Sequence, residues 1–288
     1  VTIQVTPANH AVGAFVHGVQ VANCSDDDLS VIKQAFVDYG VVFFRDQDLT
    51  PDQHIDFAQR WSTINVNRFF TPVDSHPIIA EVRKEPEQKE NIGLAWHTDH
   101  SYDQIPSMGS LLYARELPPI GGDTMFASQY AAFDALSPGM QQTLCGLRAL
   151  HSSRHVFGAA ATTGDGLPDY QNAELATQDA VHPVVIRHPL SGRPALYVNC
   201  DFTVGIDGWT VAESAPLLQQ LYAHCGRAEF VYRFGWEPGS LAIWDNRAVQ
   251  HLALNDYPGH RRVMHRITLD GVPLEPYQFG SEPPVGHR

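Results

Sequence analysis

The 288-residue chain reads as a mainly β fold with flanking helices, a β-sandwich or jelly roll in one domain spanning 1–288. Three observations predict it. Short apolar runs of strand length recur along the sequence, bounded by Gly, Pro, Asn or Asp. Only a few segments carry helical periodicity, most of them with a capping signal. Strand-like and helix-like runs do not alternate in the βαβ rhythm of a parallel sheet, and no internal repeat is visible.

Loose alternation over residues 1–24 predicts an opening strand or hairpin. Ser25 caps a helix with Asp26, Asp27 and Asp28 in its first turn, where carboxylates oppose the positive helix end. Leu29, Ile32, Phe36 and Tyr39 form its apolar stripe and Gly40 stops it. The three aspartates therefore read as helix-start chemistry rather than a metal site. Residues 41–44 are an apolar run of buried-strand length. Thr50 and Gln53 make a capping box, with Pro51 at the first helical position, for a helix reaching about Trp61 and burying Ile55, Phe57 and Ala58. From 62 to 91 the pattern weakens, and 78–82 is the strand expected within it. The charged run 83–90 reads as a solvated, mobile loop. Because it leads into the motif below, the span 62–95 suggests an active-site lid.

Residues 110–114 and 123–126 read as strands separated by the turn-forming Pro118-Pro119 and Gly121-Gly122. Two short helices follow at 130–136 and 138–144, the second capped by Ser137. Residues 155–179, rich in Gly, Ala and Thr, read as a long loop. Strands are expected at 182–187 and 195–199. Thr210 and Glu213 then box a helix carrying Leu217, Leu218, Leu221 and Tyr222 to Gly226. Strands at 229–234, 240–244 and 262–269 close the pattern.

A net charge of −13 argues against nucleic acid as the main partner but leaves room for a small anionic molecule. No stretch approaches the roughly 20 apolar residues of a membrane span, and residues 1–10 show no signal-peptide pattern. Cys24, Cys145, Cys200 and Cys225 form no C-x-x-C and read as buried or partly buried thiols of a reducing, cytoplasmic setting.

The chemistry centres on Trp96-His97-Thr98-Asp99. A His and an Asp two residues apart on extended chain point to the same side. They can supply two ligands of a 2-His-1-carboxylate face, which leaves open positions on non-haem Fe(II). Alone, such a pair is more often structural. The third ligand must come from elsewhere, and His251 is a good candidate, in a loop after a strand that ends near Trp244. On the last strand, Arg262, Met264 and Arg266 share one face, while Val263, His265, Ile267 and Leu269 share the other. If the apolar row packs against helices, both guanidiniums point inward, where an unpartnered Arg expects an anion. Pairing with internal Asp or Glu, or exposure of Arg262 at an edge, are the other readings.

Together, the His-x-Asp motif, Gly121-Gly122-Asp123-Thr124, Trp244-Asp245-Asn246 ahead of His251, and the two arginines resemble the Fe(II)/2-oxoglutarate-dependent dioxygenases of the TauD/TfdA (taurine and 2,4-dichlorophenoxyacetate dioxygenase) family. The resemblance runs from about residue 12 to 269. It implies a double-stranded β-helix, a jelly-roll variant, and Fe(II) on His97, Asp99 and His251. It implies that Thr124 and Arg262 hold the distal carboxylate of 2-oxoglutarate, that O2 is the second cosubstrate, and that the protein is a homo-oligomer. Arg266 would meet the anionic group of the prime substrate or support the other end of the cosubstrate. Residues 79–85, 152–158 and 196–199 look most like the aryloxyalkanoate branch, and Gly93 and Leu94 stand where taurine enzymes carry a polar Asn. The expected reaction is hydroxylation of a small anionic organic substrate next to a heteroatom, cleaving an aryloxyalkanoate ether; a sulfonate or alkyl sulfate dioxygenase is the alternative. His100 and Tyr102 would line the substrate pocket as donors, unless His100 faces solvent, with Asn65, Asn67 and Phe69 contributing from the lid. A zinc hydrolase using the same three ligands and a non-enzymatic metal-binding jelly roll are the rival classes.

Overall fold

The computed structural model describes residues 2–158 and 170–280. The elements are β1 (Gln4–Pro7), β2 (Ala14–His17), α1 (Asp26–Tyr39), β3 (Val41–Phe44), α2 (Pro51–Gln59), β4 (Ile64–Asn65), β5 (Pro72–Val73), β6 (His76–Lys84), β7 (Gly109–Glu116), β8 (Thr124–Ser128), α3 (Gln129–Asp134), α4 (Pro138–Cys145), β9 (Arg148–Ser152) and α5 (Arg154–Phe157). There follow β10 (Asp179–Pro183), β11 (Val185–Arg187), β12 (Pro194–Leu196), β13 (Thr203–Ile206), α6 (Val211–Cys225), β14 (Val231–Phe234), β15 (Leu241–Asp245), β16 (Val249–Ala253), β17 (Arg262–Leu269) and β18 (Glu275–Pro276). Ser25, Thr50 and Thr210 each form a complete capping box, so α1, α2 and α6 begin at the positions their sequences mark.

The main sheet runs β1-β2-β3-β15-β7-β17-β6-β5, with β4 also on β17, and a smaller sheet runs β14-β8-β16. Side chains of the main sheet divide by the period of two. Val42, Phe44, Ile243, Ile267 and Leu269 face outward onto Leu29, Ile32 and Phe36 of α1 and Phe57 and Ala58 of α2. Phe43, Leu112, Trp244 and Met264 face inward, where they meet Phe126 and Phe234 of the smaller sheet. Phe43 stacks on Phe234 with centroids 4.2 Å apart. Each fully buried aromatic of this interior contributes about 1.5–3 kcal/mol relative to an exposed one. The result is a jelly roll with helices on its outer face. A third cluster joins α3, α4 and α6 to β9, β11 and β12.

Several expectations change. His251 lies within β16 rather than in a loop. Residues 83 and 84 of the charged run complete β6, which pairs with β17 from Arg262↔Lys84 to Arg266↔Ala80. Lys84 is buried, its Nζ 4.4 Å from the Tyr257 ring centre, and Glu85 pairs with Arg83 and Arg261. The strand expected at 182–187 is divided at Val184 between β10 and β11, which belong to different sheets. The long loop expected at 155–179 begins inside α5; its residues 159–169 lie outside the described residues. In α2, His54 takes the buried place expected of Ile55. All four cysteines are free, and Cys200 is exposed rather than buried.

Neither ring nitrogen of His54 has a partner. Burial, with His265 and Arg115 nearby, lowers its pKa to about 3. Burial also lowers His265 to about 4, with Arg115 and His76 adding to the effect. An ordinary imidazole titrates near 6.5. The unfolded chain therefore binds more protons than the folded one between these limits, and the stability these histidines contribute is full above about pH 6.5 and lost as the pH falls toward 4. The thermal midpoint should drop over that interval, and His54→Leu should flatten the drop; an unchanged pH profile in the variant would refute it.

Candidate active site

The site forms where the segment before Asp99 meets β16. His97 N–H donates to His251 O at 3.1 Å, and His251 N–H donates to His97 O at 2.9 Å. This two-bond bridge brings the imidazoles to a centroid separation of 4.1 Å. The Trp96 indole settles on Gly226, where a Cβ would lie 2.6 Å from Nε1, so the residue that ends α6 also admits the motif. His97 Nδ1 donates to Ala95 O at 2.8 Å, which leaves Nε2 turned to Asp99 Oδ1 at 3.6 Å. His251 Nε2 lies 3.7 Å from Asp99 Oδ2. One donor atom from each residue falls within 4.8 Å of the others, and all three residues are buried. Two imidazole nitrogens and one carboxylate on one side fit a non-haem Fe(II) face.

Arg262 and Arg266 both point inward from β17, as the alternation predicted, but their partners differ. Arg266 Nη2 meets Asp99 Oδ2 at 2.5 Å, and its Nε and Nη2 donate to Ser110 Oγ at 3.2 and 3.0 Å. The anion that Arg266 engages is thus Asp99, the internal-carboxylate reading. Burial alone would raise the Asp99 carboxyl; Arg266, His251 and His97 outweigh it and hold it below the carboxylate range. Burial, then His97, pushes His251 well below the usual imidazole value, which suits a neutral ligand nitrogen. Arg262 is equally buried, yet its Nε and Nη2 have no partner. An unpaired guanidinium inside a protein is costly, and burial lowers its pKa. It faces a small cavity of about 40 Å3 that it shares with Thr124, His97, His251 and Arg266.

A second cavity, of about 30 Å3, adjoins the first, sharing Gly93, His97 and Arg266 with it and reaching Asp99. Phe70, Tyr102, Phe157, Tyr170 and Phe202 give it aromatic walls, and Asn67 and His100 its polar part. His100 is buried, not solvent-facing, and takes a left-handed φ of 57°. Its Nδ1 lies 2.8 Å from Asp103 Oδ2, and Asp103 pairs with Arg68 at 2.5 Å. Asn67 Oδ1 accepts from the Phe69 and Phe70 amides, so Asn67 Nδ2 donates to His100 Nε2 at 3.3 Å. This pattern assigns the His100 proton to Nδ1. Asn65 turns instead to Asp270, and Phe69 is core, stacked on Phe157.

Residues that the sequence reading missed include Ser110, which steadies Arg266, and Asp201, whose carboxylate is 3.8 Å from His97 Nδ1. The pattern of inward positions on β7 would have found Ser110; no local signal marks Asp201. The Trp244-Asp245-Asn246-Arg247 run proves to be scaffold. Asp245 accepts from His188 Nε2 at 2.9 Å and from Arg247 Nε and Nη2 at 2.8 and 2.7 Å. Asn246 Nδ2 donates to Ser107 Oγ.

Two histidines and a carboxylate grouped inside a jelly roll, beside a buried arginine unpaired at Nε and Nη2, fit the site of a metal- and oxoacid-dependent oxygenase. The chain belongs to the taurine catabolism dioxygenase TauD, TfdA family, whose sequence model matches residues 4–268. It is 31% identical over 278 residues to an alpha-ketoglutarate-dependent sulfate ester dioxygenase of Pseudomonas putida, covering 94% of this chain and 91% of that protein. It is 32% identical over 259 residues to the alpha-ketoglutarate-dependent 2,4-dichlorophenoxyacetate dioxygenase of Cupriavidus pinatubonensis, covering 83% and 88%. A crystal structure described as a taurine dioxygenase from Burkholderia xenovorans superposes with a TM-score of 0.77 at 33% identity, covering 93% of this chain and 91% of that one. The protein is accordingly an Fe(II)- and 2-oxoglutarate-dependent dioxygenase. Among the described residues no helix is long and apolar enough to cross a membrane.

Asp245→Ala would leave Arg247 and His188 buried without their acceptor, and should cost about 3–5 kcal/mol in urea unfolding. A loss below about 1 kcal/mol would contradict the scaffold role.

Proposed function

We propose that the protein hydroxylates a carbon next to a heteroatom in a small anionic organic molecule, with His97, Asp99 and His251 holding Fe(II). Thr124 and Arg262 take the distal carboxylate of 2-oxoglutarate. When bound, the iron with 2-oxoglutarate and O2 supplies C–H oxidation, with succinate and CO2 as the cosubstrate's products. The observation that carries this reading is Arg262: a buried guanidinium, unpaired at Nε and Nη2, in a cavity shared with both histidines. A planar carboxylate matches that fork and satisfies the orphaned donors.

The chain's own groups divide the remaining work. Ala95 O fixes the His97 tautomer, so Nε2 is free to bind. Arg266 and Ser110 hold the Asp99 carboxylate in register. The aromatic-walled cavity receives the prime substrate, with Tyr102 on its wall and His100 and Asn67 as polar contacts. Arg266 also lines that cavity, and its positive charge faces the substrate's anionic group. Closure of the stretches between β4 and β5 and after β6 within 62–95 excludes water; β4, β5 and β6 themselves stay in the sheet.

The aromatic walls favour an aryloxyalkanoate, whose hydroxylation beside the ether oxygen releases a phenol. An alkyl sulfate or sulfonate is the second reading, because the relatives above include a sulfate ester dioxygenase. Succinate formation over a panel of aryloxypropionate enantiomers, alkyl sulfates and taurine separates them: the reading expects a rise with the aryloxy acids, and a rise with alkyl sulfates or sulfonates alone would replace it.

His97→Ala and Asp99→Ala should abolish Fe(II) binding and turnover while circular dichroism stays native. Near wild-type turnover in either would sink the metal assignment. Arg262→Ala should weaken 2-oxoglutarate binding about a hundredfold, the loss of a charge-assisted pair, with the prime-substrate KM little changed.

A further inference from the structure

Trp236, two residues beyond β14, touches both groups assigned to the cosubstrate carboxylate. Its Nε1–H donates to Thr124 Oγ1 at 3.0 Å, and its ring centre lies 5.8 Å from Arg262 Cζ. The ring is locked edge-on against fully buried Phe234, with centroids 4.9 Å apart and planes at 80°. An indole N–H donates only, whereas a threonine hydroxyl both accepts and donates. The indole thus occupies acceptor capacity on Thr124 and leaves the hydroxyl proton for another group. Thr124 is buried on the wall of the Arg262 cavity. Gly122 closes in on the same arginine from the turn before β8. Its φ is +75°, and a Cβ there would lie 3.2 Å from Arg262 Cδ and 3.3 Å from Nε. Arg262 is therefore confined by an indole and a bare backbone while two of its nitrogens stay unpaired.

We propose that Trp236 is a positioning residue for the 2-oxoglutarate clamp: its N–H turns the Thr124 hydroxyl so that the proton points to the distal carboxylate, and its ring holds Arg262 toward the same group. The inference rests on the reading that Thr124 and Arg262 bind that carboxylate. Without the indole N–H, the hydroxyl rotates freely, and part of its donor strength goes to ordering it anew on binding.

The test is calorimetric titration of 2-oxoglutarate into Mn(II)-loaded protein, which needs no turnover. Trp236→Phe keeps an aromatic face and removes the donor; it should raise the Kd about five-fold, as for one neutral hydrogen bond. Trp236→Leu, which also removes the ring, should bind more weakly still. Trp236→Phe combined with Thr124→Ala should bind no more weakly than Thr124→Ala alone, because no hydroxyl is left to orient. Turnover at saturating 2-oxoglutarate should be unchanged in Trp236→Phe, a KM effect without a kcat effect. If that variant does not fold, Trp236→Gln against Trp236→Leu answers the same question, since the amide restores a donor and should recover affinity. Wild-type affinity in Trp236→Phe, strict additivity in the double variant, or equal affinity of the Gln and Leu variants would overturn the role of Trp236. If wild-type protein fails to bind 2-oxoglutarate, or Arg262→Ala binds it unchanged, the clamp assignment fails as well.

Discussion

The site depends on one constraint, the period-two alternation of β17 between two paired neighbours. This strand is buried along its whole length and hydrogen-bonded to β6 on one side and β7 on the other. Its outward residues Ile267 and Leu269 are sealed under α1 and α2. With that face committed to apolar packing, a slip of one residue would turn both arginines into the helix layer. Helix burial on the outside of the sheet thus fixes where positive charge appears inside it. The same packing places Met264 between the arginines, in the barrel core beside Trp244.

Inside this frame the buried charges fall into two kinds. Asp245 with Arg247 and His188, and Asp99 with Arg266, are pairs whose desolvation is offset by short hydrogen bonds in a low-dielectric interior. They hold position. Arg262 is different, because an indole, a glycine and the Tyr257 phenol surround it and its Nε and Nη2 have no hydrogen-bond partner, Asp123 acting on it only at longer range. The carboxylate ligand proposed above would satisfy it. On one strand, four residues apart, one arginine is tied to an internal carboxylate and the other is left unpaired at Nε and Nη2.

Much of the fold was legible because its signals are local. Capping boxes at Ser25, Thr50 and Thr210 marked helix starts, and runs such as 41–44 and 262–269 marked strands. What failed was polar residues in buried strands. β16 reads Val-Gln-His-Leu-Ala, and its Gln250 is buried because it donates to Val198 O at 2.7 Å, so no apolar run announces the strand. β9, with His151 wholly buried, escaped for the same reason. In the site, the His-x-Asp pair and the inward arginines could be read from spacing. The Arg266–Asp99 pair, Ser110 and Trp236 could not, since each is a contact between distant segments that only the packed sheet creates.

The bridge between His97 and His251 also has a consequence for timing. Its two backbone bonds join positions separated by more than half of the chain, so closing it carries the loop entropy of everything between. Topologies rich in contacts of such long range fold slowly. A half-made chain emerging from the ribosome carries the His97-x-Asp99 pair but not yet His251. On the proposed ligand set, the complete iron face exists only in the finished sheet, and a bound iron would tie the two ends of that interval together and add to the stability of the fold.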